Sequence, residues 1–147
     1  MEAVDLKGWH HDSHRHALAA RGVTTRFDPA SRISRNGFIY IQDDGDRLGW
    51  TDIYVDERSI ARIYGDGAVP SGTAIMVGIR VYDQHQRTGY GRKLLEASEE
   101  YARDLGMKRI WAMSVVNERF FKMNGYERID PGERLYKMVG TVYEKVL

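Results

Sequence analysis

The chain has 147 residues, enough for one domain with its own hydrophobic core. The chain has no cysteine, which excludes disulfide scaffolds, thiolate metal sites and cysteine nucleophiles. Its 22 Lys and Arg nearly balance its 21 Asp and Glu, which argues against a dedicated nucleic-acid binder. No apolar run approaches the roughly 20 residues that a membrane span needs, so we expect a single cytoplasmic domain over residues 1–147 with no membrane association.

The first half of the chain is predicted to be a short helix followed by strands. Residues 8–22 read as a helix that Gly22 ends. Runs of β-branched and aromatic residues then predict strands, and Gly, Asp and Pro clusters predict the connections between them. The predicted strands are Gly37–Ile41, Leu48–Val55 and Ser59–Tyr64, with a turn at Asp43–Asp46 and a loop at Gly65–Gly72.

The second half is predicted to alternate strand, helix and strand. Ala74–Tyr82 is predicted as a long strand in which Gly78 marks a bulge. Apolar residues at three- and four-residue spacing, from Leu94 to Leu105, predict an amphipathic helix that ends at Gly106. Ile110–Met113 is a continuous apolar strand, as expected when both faces are covered, so the two strands should be a parallel pair.

The last part is predicted to return to antiparallel structure. A helix is expected over residues 118–124, followed by a hairpin of Tyr126–Ile129 with Leu135–Val139. We expect Thr141–Val146 to be an exposed terminal strand, which would allow pairing of two copies in a homodimer. Together these elements predict an α/β fold with a mixed sheet.

The segment Gln86–Arg92 carries the clearest chemical pattern. It leaves a strand and enters a helix, and Gly89 and Gly91 let successive backbone N–H groups converge on one point. The unpaired amides and the dipole of the helix N-terminus favour an anion, and Arg87 and Arg92 add positive charge. A phosphate or pyrophosphate is the natural occupant, although a tight turn with no ligand is the alternative interpretation.

This segment, in its context, resembles the Gcn5-related N-acetyltransferase (GNAT) superfamily. The resemblance runs from about Thr73 to Val139 and includes a second element from Asn117 to Tyr126. It implies the acyl-CoA N-acyltransferase fold: a twisted mixed sheet with helices on both faces, and acetyl-CoA held between two parallel strands that splay apart. A weaker local likeness, at Ala61–Gly65 and Ala68–Pro70, is to the acetyltransferase segment of the Elongator catalytic subunit.

The resemblance also implies roles for individual residues. Backbone groups of one splayed strand pair with the pantetheine arm, and a backbone N–H near Val81 stabilises the oxyanion. Asn117 is either a helix cap or a cofactor contact. Phe120 and Phe121 either pack on the cofactor or pack in the core. The implied cofactor-binding residues are Ile79, Val81, Gln86, Arg87, Thr88, Gly89, Tyr90, Gly91, Arg92, Asn117, Phe120 and Phe121, and no metal is expected.

The sequence departs from the family pattern at two catalytic positions. The usual tyrosine acid aligns with Phe121, and the glutamate base of protein-lysine acetyltransferases aligns with Ile75. The candidate acids are Ser114, Tyr126 and Tyr136, each with a structural role as the alternative. The candidate bases are Asp52, Asp56, Glu57 and Asp83, each with the alternative of a solvated surface carboxylate.

The resulting expectation is transfer of an acetyl group from acetyl-CoA to a primary amine on a small molecule or a protein. The pattern leaves two other functions open. One is a non-catalytic, regulatory acyl-CoA-binding module, which the two departures favour. The other is an acyltransferase that acts on RNA, which the Elongator likeness suggests and the lack of basic excess opposes.

Overall fold

The structure is a computed structural model that describes residues 23–32, 34–81, 89–114, 118–132, 135 and 140–147. The predicted helix over residues 8–22 lies outside the described residues. So do six of the candidate site residues: Asp83, Gln86, Arg87, Thr88, Asn117 and Tyr136.

Within the described residues, seven strands form one mixed sheet. In chain order they are β1 (Val23–Pro29), β2 (Gly37–Asp43), β3 (Asp46–Tyr54), β4 (Thr73–Val81), β5 (Arg109–Ser114), β6 (Glu127–Ile129) and β7 (Thr141–Val146). Their order across the sheet is β1-β2-β3-β4-β5-β7-β6. Strands β4 and β5 are parallel, as predicted, and the other pairs of neighbouring strands in this sheet are antiparallel.

Helices cover both faces of this sheet. In the part of the chain that the structure describes they are α1 (Glu57–Tyr64), α2 (Tyr90–Asp104) and α3 (Glu118–Met123). Leu94, Ala97 and Tyr101 of α2 are buried in the larger core cluster together with Phe121 of α3. Ile60 and Tyr64 of α1 belong to a second cluster with Trp111 on the opposite face. The fold therefore has the predicted mixed α/β architecture.

The predicted strand at Ser59–Tyr64 is wrong, because these residues form α1. Asp56 caps the helix by accepting a hydrogen bond from the backbone N–H of Arg58, and Gly65, with φ of 105°, ends it. Ile60 and Tyr64 are four residues apart and both buried, which is the helical period. Six residues are too few for periodicity alone to separate the two structures.

The prediction that Thr141–Val146 is an exposed strand at the edge of the sheet is also wrong. Strand β6 pairs with β7, over Glu127–Glu144 to Ile129–Val142, and of its predicted partner Leu135–Val139 only Leu135 is described, outside any strand. Because β7 lies between β5 and β6, Thr141–Val146 is an interior strand. Val142 and Tyr143 are accordingly buried on opposite faces, and the expected homodimer loses the exposed edge on which it rested.

Candidate active site

The sheet opens between its two parallel strands. Pairing of β4 with β5 begins at Thr73–Arg109 and ends at Val77–Met113, whereas β4 itself continues to Val81. Gly78 has φ of 66°, and the register of β4 against β3 shifts between Trp50 and Asp52. The predicted bulge is therefore confirmed, and it lies where the split begins. Among the described residues, β5 supplies no ladder partner to β4 beyond this point.

A side chain of β3 forms a hydrogen bond with the backbone of the bulge. The hydroxyl of Thr51, which is fully buried, donates a hydrogen bond to the carbonyl oxygen of Gly78. This contact fixes the direction of the peptide groups at the split before any ligand arrives. Fixed backbone donors of this kind are the ones that stabilise a developing oxyanion most effectively.

The N-terminus of α2 lies at the end of the connection from β4. Gly89 is the N-cap, with φ of 86°, and among the described residues no side chain caps the helix. The first turn has no acidic residue, and the exposed Arg92 forms a 3.0 Å ion pair with Glu96 one turn later. The first turn of this 15-residue helix therefore adds no carboxylate of its own to the positive end of the dipole, which suits a phosphate group.

Gly91 fits an approaching ligand. Its φ is not in the left-handed region, and a Cβ placed there would lie 3.5 Å from Cζ of Phe120 and 3.9 Å from Cγ2 of Ile79, which are ordinary contacts. Neither backbone strain nor packing within the protein thus requires glycine. Close approach of the backbone to a bound group is a further reason for glycine, and the residue stands in the first turn of α2.

The aromatic residues near the split differ in burial. Phe120 is partly buried beside Gly91 and Ile79, where β4, α2 and α3 meet. Phe121 is only 2% exposed and stacks on Tyr143 at 4.8 Å between ring centroids. Phe121 is a core residue, and its ring has no proton to donate.

Tyr126 lies in the core below α2. Its hydroxyl donates a hydrogen bond to Oε2 of Glu99 at 2.9 Å, and the residue is 2% exposed. Burial, and next the charge of Glu99, raise the pKa of Tyr126 far above its ordinary value. The hydroxyl therefore stays protonated and engaged with Glu99.

Glu57 and Ser114 occupy different places along the parallel pair. Glu57, on α1, accepts hydrogen bonds from the hydroxyl of Ser71 and, at 3.2 Å, from the backbone N–H of Gly72. It lines a cavity of about 260 Å³ near Thr73, at the start of β4 and thus at the end away from the split. Ser114 is the last residue of β5, one position past the final pair with β4.

Asp52, one of the candidate bases, lies on the sheet face opposite α2. It is the cross-strand partner of Val77, and its Oδ1 is buried without a hydrogen-bond partner among the described residues. Burial raises the pKa of Asp52, and the charge of Arg80 partly opposes this. Arg80 lies over the ring of Trp50 at 5.6 Å. No sequence motif marks Arg80, because its place beside Asp52 depends on the pairing of β3 with β4.

Among the described residues, no helix combines the length and apolar composition of a membrane span. Nor do these residues contain a group of three or more His, Cys, Asp or Glu side chains arranged to hold a metal ion.

Comparison with known sequences yields one family. A sequence model of the acetyltransferase (GNAT) family matches residues 4–127, which is most of the chain. A search of curated proteins found no match. The likeness to Elongator stays a prediction.

Comparison with solved structures yields the same fold. An IAA acetyltransferase from Bacillus cereus superposes with a TM-score of 0.60 at 14% identity, over 85% of this chain and 99% of that one. PaiA N-acetyltransferase from Thermoplasma acidophilum, solved with coenzyme A, gives 0.55 at 13% identity over 75% and 60% of the two chains. N-acetylglutamate synthase from Neisseria gonorrhoeae, solved with coenzyme A and N-acetylglutamate, gives 0.60 at 20% identity over 100% of this chain and 34% of that one.

Proposed function

This chain belongs to the acetyltransferase (GNAT) family, and from that premise we propose that it transfers the acetyl group of acetyl-CoA to a primary amine. One observation carries the proposal: β4 separates from β5 at the Gly78 bulge, and the chain that continues from β4 leads to the N-terminus of α2, which no side chain of the described residues caps. A long ligand with an anionic middle matches this arrangement. Coenzyme A, with its pyrophosphate and its extended pantetheine arm, has that shape.

The first turn of α2 and the end of β4 contact different parts of the cofactor. The pyrophosphate rests on the first turn of α2, at Gly89–Arg92, and the pantetheine arm lies along Ile79 and Val81 of β4. Gln86, Arg87, Thr88 and Asn117 complete the predicted set from outside the described residues.

The chemistry is direct attack of a neutral amine on the thioester. The oxyanion that develops on the carbonyl oxygen is stabilised by a backbone N–H of β4 beyond Gly78, whose direction the hydrogen bond from Thr51 maintains. Coenzyme A leaves as a thiolate with a pKa of about 8.5, so loss of a dedicated acid is tolerable. Of the predicted acids within the described residues, Ser114 lies at the split, whereas the hydroxyl of Tyr126 is bound to Glu99.

A matched pair of glycine variants tests the cofactor site. Gly89 and Gly106 stand at opposite ends of α2, both have positive φ (86° and 78°), and an added Cβ meets nothing within 4 Å at either position. Gly89→Ala and Gly106→Ala should therefore lose similar stability, about 1 kcal/mol each. Calorimetric titration with acetyl-CoA should show weaker binding for Gly89→Ala alone. Equal affinities for the two variants would contradict the proposed pyrophosphate site.

A second function, a regulatory module that binds acyl-CoA without turnover, is favoured by the buried phenylalanine at position 121. Release of free coenzyme A, measured with a panel of primary amines, separates the two functions. Acetyl transfer predicts amine-dependent thiol release. Saturable binding of acetyl-CoA with no release on any amine would support the module instead.

A further inference from the structure

We propose that the acceptor carries a carboxylate as well as an amine, that Arg80 binds the carboxylate, and that Asp52 receives the ammonium and takes its proton. This inference deepens the proposed acetyl transfer and rests on it. It concerns the sheet face opposite α2, at the point where β4 and β5 separate. The two side chains, one on β3 and one on β4, come together only in the folded sheet.

Access to the split favours this face. On the α2 side, the ring of Phe120 lies against Gly91 and Ile79, and Val81 packs against the same core cluster. On the other side, Trp50 and Asp52 are only partly buried and Arg80 is exposed. Among the described residues, an acceptor therefore meets less obstruction, and more polar groups, on the face that carries Asp52.

Asp52 is placed to receive an ammonium group. Its cross-strand partner Val77 is the last residue of β4 that pairs with β5, so the carboxylate lies beside the start of the split. Its Oδ1 is buried, and no group among the described residues donates a hydrogen bond to it. Asp52 as a whole is only partly buried, so an ammonium group of a bound ligand can approach its carboxylate and donate a hydrogen bond to it.

Arg80 supplies a second, opposite charge on the same face. Its guanidinium lies 5.6 Å from the centre of the Trp50 ring and close to Gly78, where an added Cβ would be 3.4 Å from Cζ. Its charge acts on Asp52, yet the structure records no ion pair within 4.0 Å between these two side chains. A guanidinium binds a carboxylate through two parallel hydrogen bonds, so the separated charges match an acceptor with both groups.

Three other charged side chains on this face, from β1 and β3, are not among the charges that shift the pKa of Asp52. Asp28 of β1 forms a 3.2 Å ion pair with Arg47 of β3, and Arg47 also lies over the ring of Tyr40. Arg26 of β1 is the cross-strand neighbour of Tyr40, one strand further from Asp52. Of the charged side chains on the described strands of this face, Arg80 is thus the one whose charge shifts the titration of Asp52.

The proposed step balances as follows. Asp52 takes one proton from the acceptor ammonium, and the neutral nitrogen attacks the carbonyl carbon of the thioester, so that a C–N bond forms and the C–S bond breaks. The second proton of the nitrogen goes to the departing thiolate, which leaves as free coenzyme A, and Asp52 returns its proton to water. The raised pKa of Asp52 suits this role, because a more basic carboxylate is a better proton acceptor near neutral pH.

Pairs of acceptors that differ in one group test the substrate class. Each pair is an amino acid and its carboxamide, and coenzyme A release is measured for both with wild-type protein. We expect kcat/KM to be about 10- to 100-fold higher for the carboxylate member, as for hydrogen bonds to a charged group. Equal values, or a preference for the carboxamide, would overturn the inference.

Two variants assign the preference to the two side chains. Arg80→Gln should remove the advantage of the carboxylate member over the carboxamide, whereas an equal change in kcat/KM for both members would overturn the role of Arg80. Asp52→Asn should lower kcat for both members by about 10²- to 10⁴-fold, and the loss should shrink as the pH approaches the pKa of the amine. A loss that is independent of pH would overturn the role of Asp52.

The controls keep this test separate from that of acetyl transfer itself. Arg62→Gln and Asp66→Asn change exposed residues of α1 and of the following loop, and should leave all rates unchanged. If amines without a carboxylate react as well as those with one, acetyl transfer stands and this inference falls. If acetyl-CoA binds but no amine reacts, calorimetry of the amino acids on the coenzyme A complex decides, and lack of binding there overturns the inference as well.

Discussion

Two groups of charged side chains lie on opposite faces of the same sheet, and they differ in how their polar atoms are paired. Below α2, both carboxylate oxygens of Glu99 accept hydrogen bonds, from Tyr126 at 2.9 Å and from Lys145 at 3.0 Å. Lys145 also donates to the backbone carbonyl of Asn124 at 3.1 Å. On the other face, Oδ1 of Asp52 has no partner within the described residues, and Arg80 rests on an aromatic ring.

The difference separates structural charges from functional ones. A buried network in which every group is paired specifies one packing arrangement, and its removal is felt as lost stability. A partly buried carboxylate without a donor instead costs stability in the free protein, which is tolerated where a ligand completes it. Four substitutions, taken from the largest expected effect to the smallest, would break or sharpen this comparison.

Asp52→Asn should have the largest effect, a loss of activity without a loss of stability. We expect kcat to fall by about 10²- to 10⁴-fold, whereas the thermal midpoint should stay the same or rise. Because burial raises the pKa of Asp52 above 3.8, the folded protein holds this proton more tightly than the unfolded chain does. The charge at Asp52 therefore lowers stability as the pH rises through that pKa, and the variant should gain on wild type over the same interval. Thermal melts across the acidic range measure this gain, and a destabilised variant would contradict the comparison.

Glu99→Ala should have the opposite profile. It leaves the hydroxyl of Tyr126 and the ammonium of Lys145 without their shared partner, and breaking a buried pair in this way costs about 3 to 5 kcal/mol. Denaturant unfolding measures the loss. Activity per folded molecule should not change at a temperature where the variant is folded, and a selective loss of kcat would place Glu99 in the reaction.

Tyr126→Phe is a milder change in the same network. The ring and its packing against Phe121 remain, at 5.7 Å between centroids, but one oxygen of Glu99 loses its donor. An unsatisfied buried acceptor costs about 1 to 3 kcal/mol. The rate of coenzyme A release should match wild type. A rate reduced by a hundredfold would instead support the sequence-based assignment of Tyr126 as the acid.

Lys122→Gln should have the smallest effect. Lys122 and Glu118 form a 3.2 Å ion pair on α3, and both side chains are largely exposed. Exposed pairs at this spacing contribute about 0.3 to 0.5 kcal/mol. Denaturant unfolding should barely separate this variant from wild type, and a loss above about 1 kcal/mol would mean that pairing in solvent matters as much as pairing in the core.

Several features of the fold and the site were predictable because they depend on neighbours in sequence. The amphipathic spacing from Leu94 to Leu105 identified α2, and Gly78 identified the bulge. Gly89, at the N-cap of α2, and Gly91, in its first turn, predict an anion site, since helix geometry alone directs amides to that point. Each of these depends on backbone conformation within a few residues.

Other features depended on contacts that local patterns do not specify. Ser59–Tyr64 is a short run with β-branched and aromatic residues, which fits a strand, but the cap at Asp56 and the burial of Ile60 and Tyr64 make it a helix. The position of β7 inside the sheet follows from pairing with both β5 and β6. Tyr126 is a candidate acid by sequence, and only the structure shows that its hydroxyl is bound to Glu99, 27 residues away in the chain.

The sequence by itself determined the elements around α2, the positions of the glycines at its N-terminus and the family to which the chain belongs. The tertiary structure decided which charges are paired, and so which are available to a substrate. The physical reason is that secondary structure arises from interactions over three or four residues, whereas the desolvation and pairing of a charge depend on every strand and helix packed around it. Asp52 and Arg80 are 28 positions apart in the chain and adjacent only across two strands of the folded sheet.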